Sequence, residues 1–225
     1  MSLSARLRTW LARRRQPTQT SGRPRVLVVV EGPHDIEFLR RISAMLHRHQ
    51  SSLPDLESME RRGELIFVPF GGGDPWLWTH RLAALTLPEF HLLDREAPPE
   101  TQLRQQAADV VNLRPRCRAV LTQKRSLENY LQPQAVFEVS GINLEFSDDD
   151  PVAALIAERL YNVEGQVAWA DLPRQARARR LNRAKKWLHT KAVDRMTPDR
   201  LAERDPEGEV RSWLETIGRL AEGLV

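Results

Sequence analysis

The residues of this sequence best suited to chemistry are acids that stand just after strand-like segments. Glu31-Gly32-Pro33-His34-Asp35 follows the aliphatic run Val26–Val30, Asp94-Arg95-Glu96 follows EFHLL, and Ser126-Leu127-Glu128-Asn129-Tyr130 follows RCRAVLT and the basic pair Lys124-Arg125. Carboxylates gathered without cysteine are the donor set of a hard cation such as Mg²⁺ or Mn²⁺. Their mutual repulsion is costly unless a metal offsets it. Two such ions can activate water and steady the leaving oxygen of a phosphodiester. In an extended chain residues i and i+2 share a side, so Asp94 and Glu96 are expected to face one cation. Each site also has a plain structural reading. Asp35 suits a helix N-terminus, Asp94-Arg95-Glu96 a polar surface turn, and Glu128 the first turn of a short helix.

A fourth segment, Gly71-Gly72-Gly73-Asp74, offers backbone amides that could cradle phosphate at the start of a following helix, or it is simply a tight turn. It is not a Walker loop, since no GxxxxGK[ST] occurs in the chain. The net charge is only +4 but is unevenly spread. Residues 1–25 hold Arg6, Arg8, Arg13, Arg14, Arg15, Arg23 and Arg25 and no acid. A second tract holds Arg174, Arg177, Arg179, Arg180, Arg183, Lys185, Lys186 and Lys191. Such tracts attract polyanions, and a solvated helix face is the plainer reading of either one alone. Beside the acids they favour a nucleic-acid partner. Gly71, Gly72, Gly73, Lys124, Arg125, Arg180 and Lys186 are then the candidate phosphate contacts.

These residues need a scaffold that brings strand ends together. Apolar runs predict strands at 25–31, 64–70, 89–94 and 116–122, with helices at about 33–48, 75–86 and 101–112 between them and a short helix at 126–132. The first strand is continuously apolar, which implies burial on both faces. This alternation predicts an α/β layer with a mainly parallel sheet, whose ligands gather at the carboxyl ends of the strands. Beyond it, helical patterns fall at about 151–162, 172–189, 197–204 and 207–221. Three parts are expected: a basic N-terminal helix (1–16) and linker through 24, an α/β core at 25–140, and a helical extension at 141–225 that completes or caps the site.

Other classes are disfavoured by composition. The chain has 225 residues, enough for one core plus a small appended unit, and one cysteine, Cys117, which precludes a disulfide framework or cysteine zinc site within it. The longest aliphatic run is far too short to cross a bilayer, and no apolar signal region is seen. The expected location is cytoplasmic, with no membrane partner.

The three acidic segments together resemble the Toprim fold, and Lys124-Arg125-Ser126-Leu127-Glu128-Asn129-Tyr130-Leu131 is most similar to the OLD (overcoming lysogenization defect) nucleases. The resemblance covers residues 25–132 and, more weakly, 172–215. It implies a Rossmann-like mainly parallel sheet flanked by helices and a nuclease dependent on Mg²⁺ or Mn²⁺, with two ions. It also implies catalytic roles for Glu31 and Asp35, and metal ligation by Glu31, Asp35, Asp94, Glu96 and Glu128. A basic residue near the end of the module is implied as well; Lys191 is the first candidate and Lys186 the second. The chain departs from the pattern in carrying Glu96 at the second acidic position and in lacking an ATPase domain. DNA is the favoured substrate over RNA, a separate ATPase subunit is one implied partner, and a homodimer is another. The alternative is a non-catalytic nucleic-acid-binding or scaffold protein of the same shape. A topoisomerase is disfavoured because Tyr130 and Tyr161 are the only tyrosines. A phospho-receiver would need two adjacent acids where Glu31-Gly32 stands.

Overall fold

The computed structural model describes residues 22–164 and 167–224. The helix expected at 1–16 and most of its linker lie outside them. Four strands form one sheet: β1 (Val26–Val30), β2 (Leu65–Pro69), β3 (Glu89–Leu93) and β4 (Cys117–Leu121). All pairings are parallel and the order is β2-β1-β3-β4. Alternation sorts the side chains by face. Val26, Val28, Val30, Leu65, Phe67, Phe90 and Leu92 enter the main core, while Leu93, Cys117 and Ala119 meet Ala108 and Val111 of a helix on the other face. Every residue of β1 is buried, as expected for a central parallel strand.

Eight α-helices are described: α1 (Pro33–His49), α2 (Leu56–Arg61), α3 (Glu100–Asn112), α4 (Pro133–Ser140), α5 (Val152–Glu164), α6 (Arg174–Trp187), α7 (Pro198–Arg204) and α8 (Glu209–Glu222). This is an α/β fold with a parallel sheet flanked by helices and a helical C-terminal part. That part shares the core with the sheet: Val210, Trp213, Leu214, Ile217 and Leu220 of α8 are buried in the same cluster as Val26 and Phe90. No described helix is long and apolar enough to cross a membrane.

Three local expectations are corrected. The helix expected at 75–86 is two 3₁₀ turns, Pro75–Trp78 and Ala83–Leu85. The Asp74 carboxylate accepts from the Trp76 amide (2.9 Å) and the Thr79 hydroxyl donates to the Trp76 carbonyl (2.9 Å), so short polar side chains compete with helical bonding. The short helix expected at 126–132 is a single 3₁₀ turn, Leu127–Tyr130, and Pro133 opens α4, because its missing N–H and fixed φ suit the first helical position. Finally, α6 does not run on as an α-helix through 189; it passes at Leu188–Ala192 into a π-helical turn.

Candidate functional site

The acids meet where the central strands end. Glu31 leaves β1 and Asp94 leaves its neighbour β3, and the Asp94 amide donates to Glu31 Oε1 (3.2 Å). Asp35 lies in the first turn of α1, where it accepts from the Gly32 amide (2.7 Å) and is buried. Asp94 Oδ1 in turn accepts from the Leu127 amide (3.2 Å), which draws the 3₁₀ turn Leu127–Tyr130 and its Glu128 against the strand ends. Asn129 fixes that turn: its side-chain oxygen accepts from the Ser126 amide and hydroxyl, and its NH₂ donates to the Ser147 and Asp150 carbonyls. Tyr130 is fully buried and donates to Glu209 of α8. The E-N-Y stretch therefore divides its labour: Glu128 brings an acid to the site, Asn129 clamps the turn, and Tyr130 anchors it in the core.

Two basic side chains that the sequence did not single out face these acids. Lys185 Nζ of α6 stands 3.8 Å from Glu128 Oε1. His189, from the π-helical turn, lies with Nε2 3.2 Å from Glu128 Oε1 and Nδ1 3.8 Å from Asp35 Oδ1. His189 is 0% exposed and Glu128 1%. Glu128 Oε1 and both His189 ring nitrogens lack a well-aligned hydrogen bond. His34 Nε2, 2.9 Å from Asn182 Oδ1, ties α1 to α6 at the same place.

The field inside the cluster is uneven. Burial pushes the Asp94 carboxyl well above the usual range, and the negative charges of Asp35 and Glu128 push it further. Burial also raises Asp35, against the pull of His189. Burial would raise Glu128 too, but His189 and Lys185 more than reverse it and hold that carboxyl below its ordinary value. Lys185 is correspondingly raised, chiefly by Glu128. His189 is pushed down by burial and, more strongly, up by Glu128 and Asp35. The site thus holds one carboxyl, Glu128, lowered by its basic neighbours and two, Asp35 and Asp94, raised by burial.

Several residues expected here are placed elsewhere. Glu31 is at the strand end but pairs with Arg104 of α3. Glu96 does not share a side with Asp94, because the strand has ended and Glu96 sits in a left-handed turn (φ 53°); its carboxylate lies 3.5 Å from Arg125. Lys124 pairs with Asp148 (2.7 Å) and Arg125 also donates to the Asp149 carbonyl, so these cations hold the acidic 148–150 loop. The Gly71 and Gly72 amides both donate to the Glu31 carbonyl (2.9 and 3.1 Å), which makes the loop a brace for Glu31 and not a phosphate cradle. Gly73 is exposed, and the turn after it is 3₁₀ and offers little helix dipole. Lys191 and Lys186 are exposed, and among the described residues no ion pair joins either to the acids. Arg180 is half-buried over the Tyr161 ring, 4.3 Å from its centroid.

No family model and no curated protein matches this sequence. Two solved structures of the C-terminal region of the Xanthomonas campestris pv. campestris OLD protein, one phased with iodine and one with platinum, match at 14% identity. Each match covers 89% of this chain and 96% or 95% of the other, with TM-scores of 0.48 and 0.49. The fold is similar to that OLD region. Among the described residues, no three His, Cys, Asp or Glu side chains are disposed around one point as metal ligands. The acids nearest one another, Asp35, Asp94 and Glu128, are all hard oxygen donors, and Glu128 Oε1, which faces Lys185 and His189, lacks an aligned hydrogen bond. That chemistry fits Mg²⁺ or Mn²⁺ and not a soft metal.

Proposed function

We propose that this chain is a divalent-metal-dependent nuclease that hydrolyses phosphodiester bonds, in DNA ahead of RNA. The supporting observation is the gathering of Asp35, Asp94 and Glu128 around Lys185 at the carboxyl ends of a parallel sheet. Asp35, Asp94 and Glu128 would hold Mg²⁺ or Mn²⁺, one or two ions, with Glu31 and Glu96 flanking. When bound, the metal supplies activation of water and neutralisation of charge on the phosphate. The protein's own contribution is positioning and charge. The raised Asp94 carboxyl would be drawn toward its ionised form by a bound cation, which links metal binding to proton release. Lys185 brings a fixed positive charge to the oxygens of the phosphate in its pentacovalent state. His189 spans Asp35 and Glu128 and keeps the two carboxylates facing one volume. The exposed cations of α6 supply the surface on which a polyanion settles. An ATPase in a separate subunit and a homodimer are further parts of the reading that the OLD resemblance implies.

The test is cutting of supercoiled plasmid by the purified chain with Mg²⁺ or Mn²⁺, with Asp94→Ala, Glu31→Ala and Lys185→Ala beside wild type. Cutting by wild type and its loss in Asp94→Ala and Lys185→Ala supports the reading; equal cutting by all four overturns it. One observation favours a second reading, a nucleic-acid-binding protein without catalysis: Glu31 is closed by Arg104, and Glu128 by Lys185 and His189. Binding of DNA with no metal-dependent cutting would be its signature.

A further inference from the structure

Helix α6 has three sides with different chemistry. At 100° per residue, Asn182, Lys185 and His189 fall on one side, and the structure places them at the acids and at His34. Arg180, Ala184 and Trp187 fall on the opposite side, against α5. Arg179, Arg183 and Lys186 lie between the two and are exposed. The seam with α5 is an open cleft of about 270 Å³, lined by Ala157, Leu160, Tyr161, Arg180, Arg183 and Trp187. Its contents are unusual for a helix seam. The Arg180 guanidinium carbon lies over the Tyr161 ring, 4.3 Å from its centroid, Trp169 packs on Tyr161 at 5.8 Å, Trp187 is only half-buried, and Leu160 is 38% exposed.

We infer that this cleft receives an unpaired base of a single-stranded segment whose backbone crosses the exposed basic face of α6 to reach the acidic site. This rests on the nuclease reading and narrows its substrate to nucleic acid with an unpaired stretch beside the scissile phosphate. Splayed bases stack on flat π-faces and guanidinium planes, and their backbone tracks a neighbouring cationic strip. Both occur here on one helix. Cations on the lip of the cleft favour a polyanion over an apolar helix of another protein. Paired bases keep their faces stacked inside the duplex and cannot enter.

The test is binding to the full chain in EDTA, where no cutting occurs, read by fluorescence anisotropy. The probes are labelled (dT)₁₀, an abasic oligonucleotide of the same length, and a blunt duplex. Alanine substitutions put base stacking at about 5- to 150-fold per base. We expect (dT)₁₀ to bind about tenfold more tightly than the abasic strand. Arg180→Ala should remove that difference, Arg180→Lys should fail to restore it, and blunt-duplex affinity should change less than twofold in either variant. Equal binding of (dT)₁₀ and the abasic strand, or full restoration by Arg180→Lys, overturns the inference and leaves any metal-dependent plasmid cutting standing. Base-dependent binding without plasmid cutting would instead overturn the nuclease reading alone.

Discussion

Strand β3 carries a buried acid at each end, and the two ends are built differently. At its start, Glu89 is fully buried, yet both its oxygens are matched: His91 Nε2 lies 2.8 Å from Oε2, Arg114 donates to Oε2 (3.1 Å) and to Oε1, and Arg114 also donates to the Thr79 carbonyl (2.6 Å). These partners outweigh burial and hold the Glu89 carboxyl below its ordinary value. Past the other end, Asp94 shares its space with Asp35 and Glu128, its carboxyl is raised, and neighbouring polar atoms lack aligned partners. A buried acid with every lone pair answered is a structural tie. A buried group of acids with orphaned atoms is an environment that a ligand would complete. The contrast teaches that burial of charge alone does not mark a site; incomplete satisfaction does.

That contrast can be broken experimentally. The largest effect belongs to Asp94→Asn, which should bring metal-dependent cleavage to background while raising the melting temperature in metal-free buffer, since a disfavoured charge is removed. A lower melting temperature would mean that Asp94 is a tie like Glu89. Next, Lys185→Ala should lower the cleavage rate about 10²- to 10³-fold, whereas Lys191→Ala should alter it less than about threefold, being an exposed substitution away from the acids. Similar losses in both would return Lys191 to the site. Third, Glu89→Gln should destabilise the fold by roughly 1.5–3 kcal/mol, because the half-buried Arg114 loses the charged acceptor it is matched to, with the specific activity of the folded fraction unchanged. Urea unfolding of that variant within about 1 kcal/mol of wild type would refute the tie.

The smallest effect is a difference of sign with pH. Glu89 has a depressed folded pKa, so its stabilisation is fully present above the unfolded value of 4.5 and is lost as pH falls through the lower folded value. Asp94 has a raised folded pKa, so the fold tolerates its protonated form better, and stability drops as pH rises from 3.8 toward the folded value. Melting curves in EDTA should therefore show an acid-side loss that Glu89→Gln lacks, and a loss on raising the pH that Asp94→Asn lacks. Identical pH profiles for the two variants would show that the ends do not differ.

Much of this was legible in the residues. Continuous burial of β1 followed from VLVVV, the parallel sheet from the strand–helix alternation, and Glu31, Asp35, Asp94 and Glu128 from their places after strands. What was hidden depended on geometry that pattern does not carry. Asp94 and Glu96 have the spacing of a shared face, but the strand stops before them and Glu96 turns left-handed. The glycine run has the composition of a phosphate loop, but its first amides are already directed at the Glu31 carbonyl. Lys185 was masked by the uniform basicity of RQARARRLNRAKKW, which gives no polar–apolar period from which to read a face. A signal for it did exist: Lys185 and His189 are four apart and so share a helix side, and His189 has apolar Leu188 before it and Ala192 and Val193 one turn on.

Asp35 and Glu128 come from the first 128 positions, whereas the basic side chains that face them, Lys185 and His189, arrive with α6 and the turn behind it. A fragment ending before Arg174 would thus keep the Arg104–Glu31 and Arg125–Glu96 pairs but leave Asp35 and Glu128 without those partners. Such an incomplete product is expected to be inert toward nucleic acid as well as poorly folded, which circular dichroism and plasmid incubation of a 1–173 fragment would check.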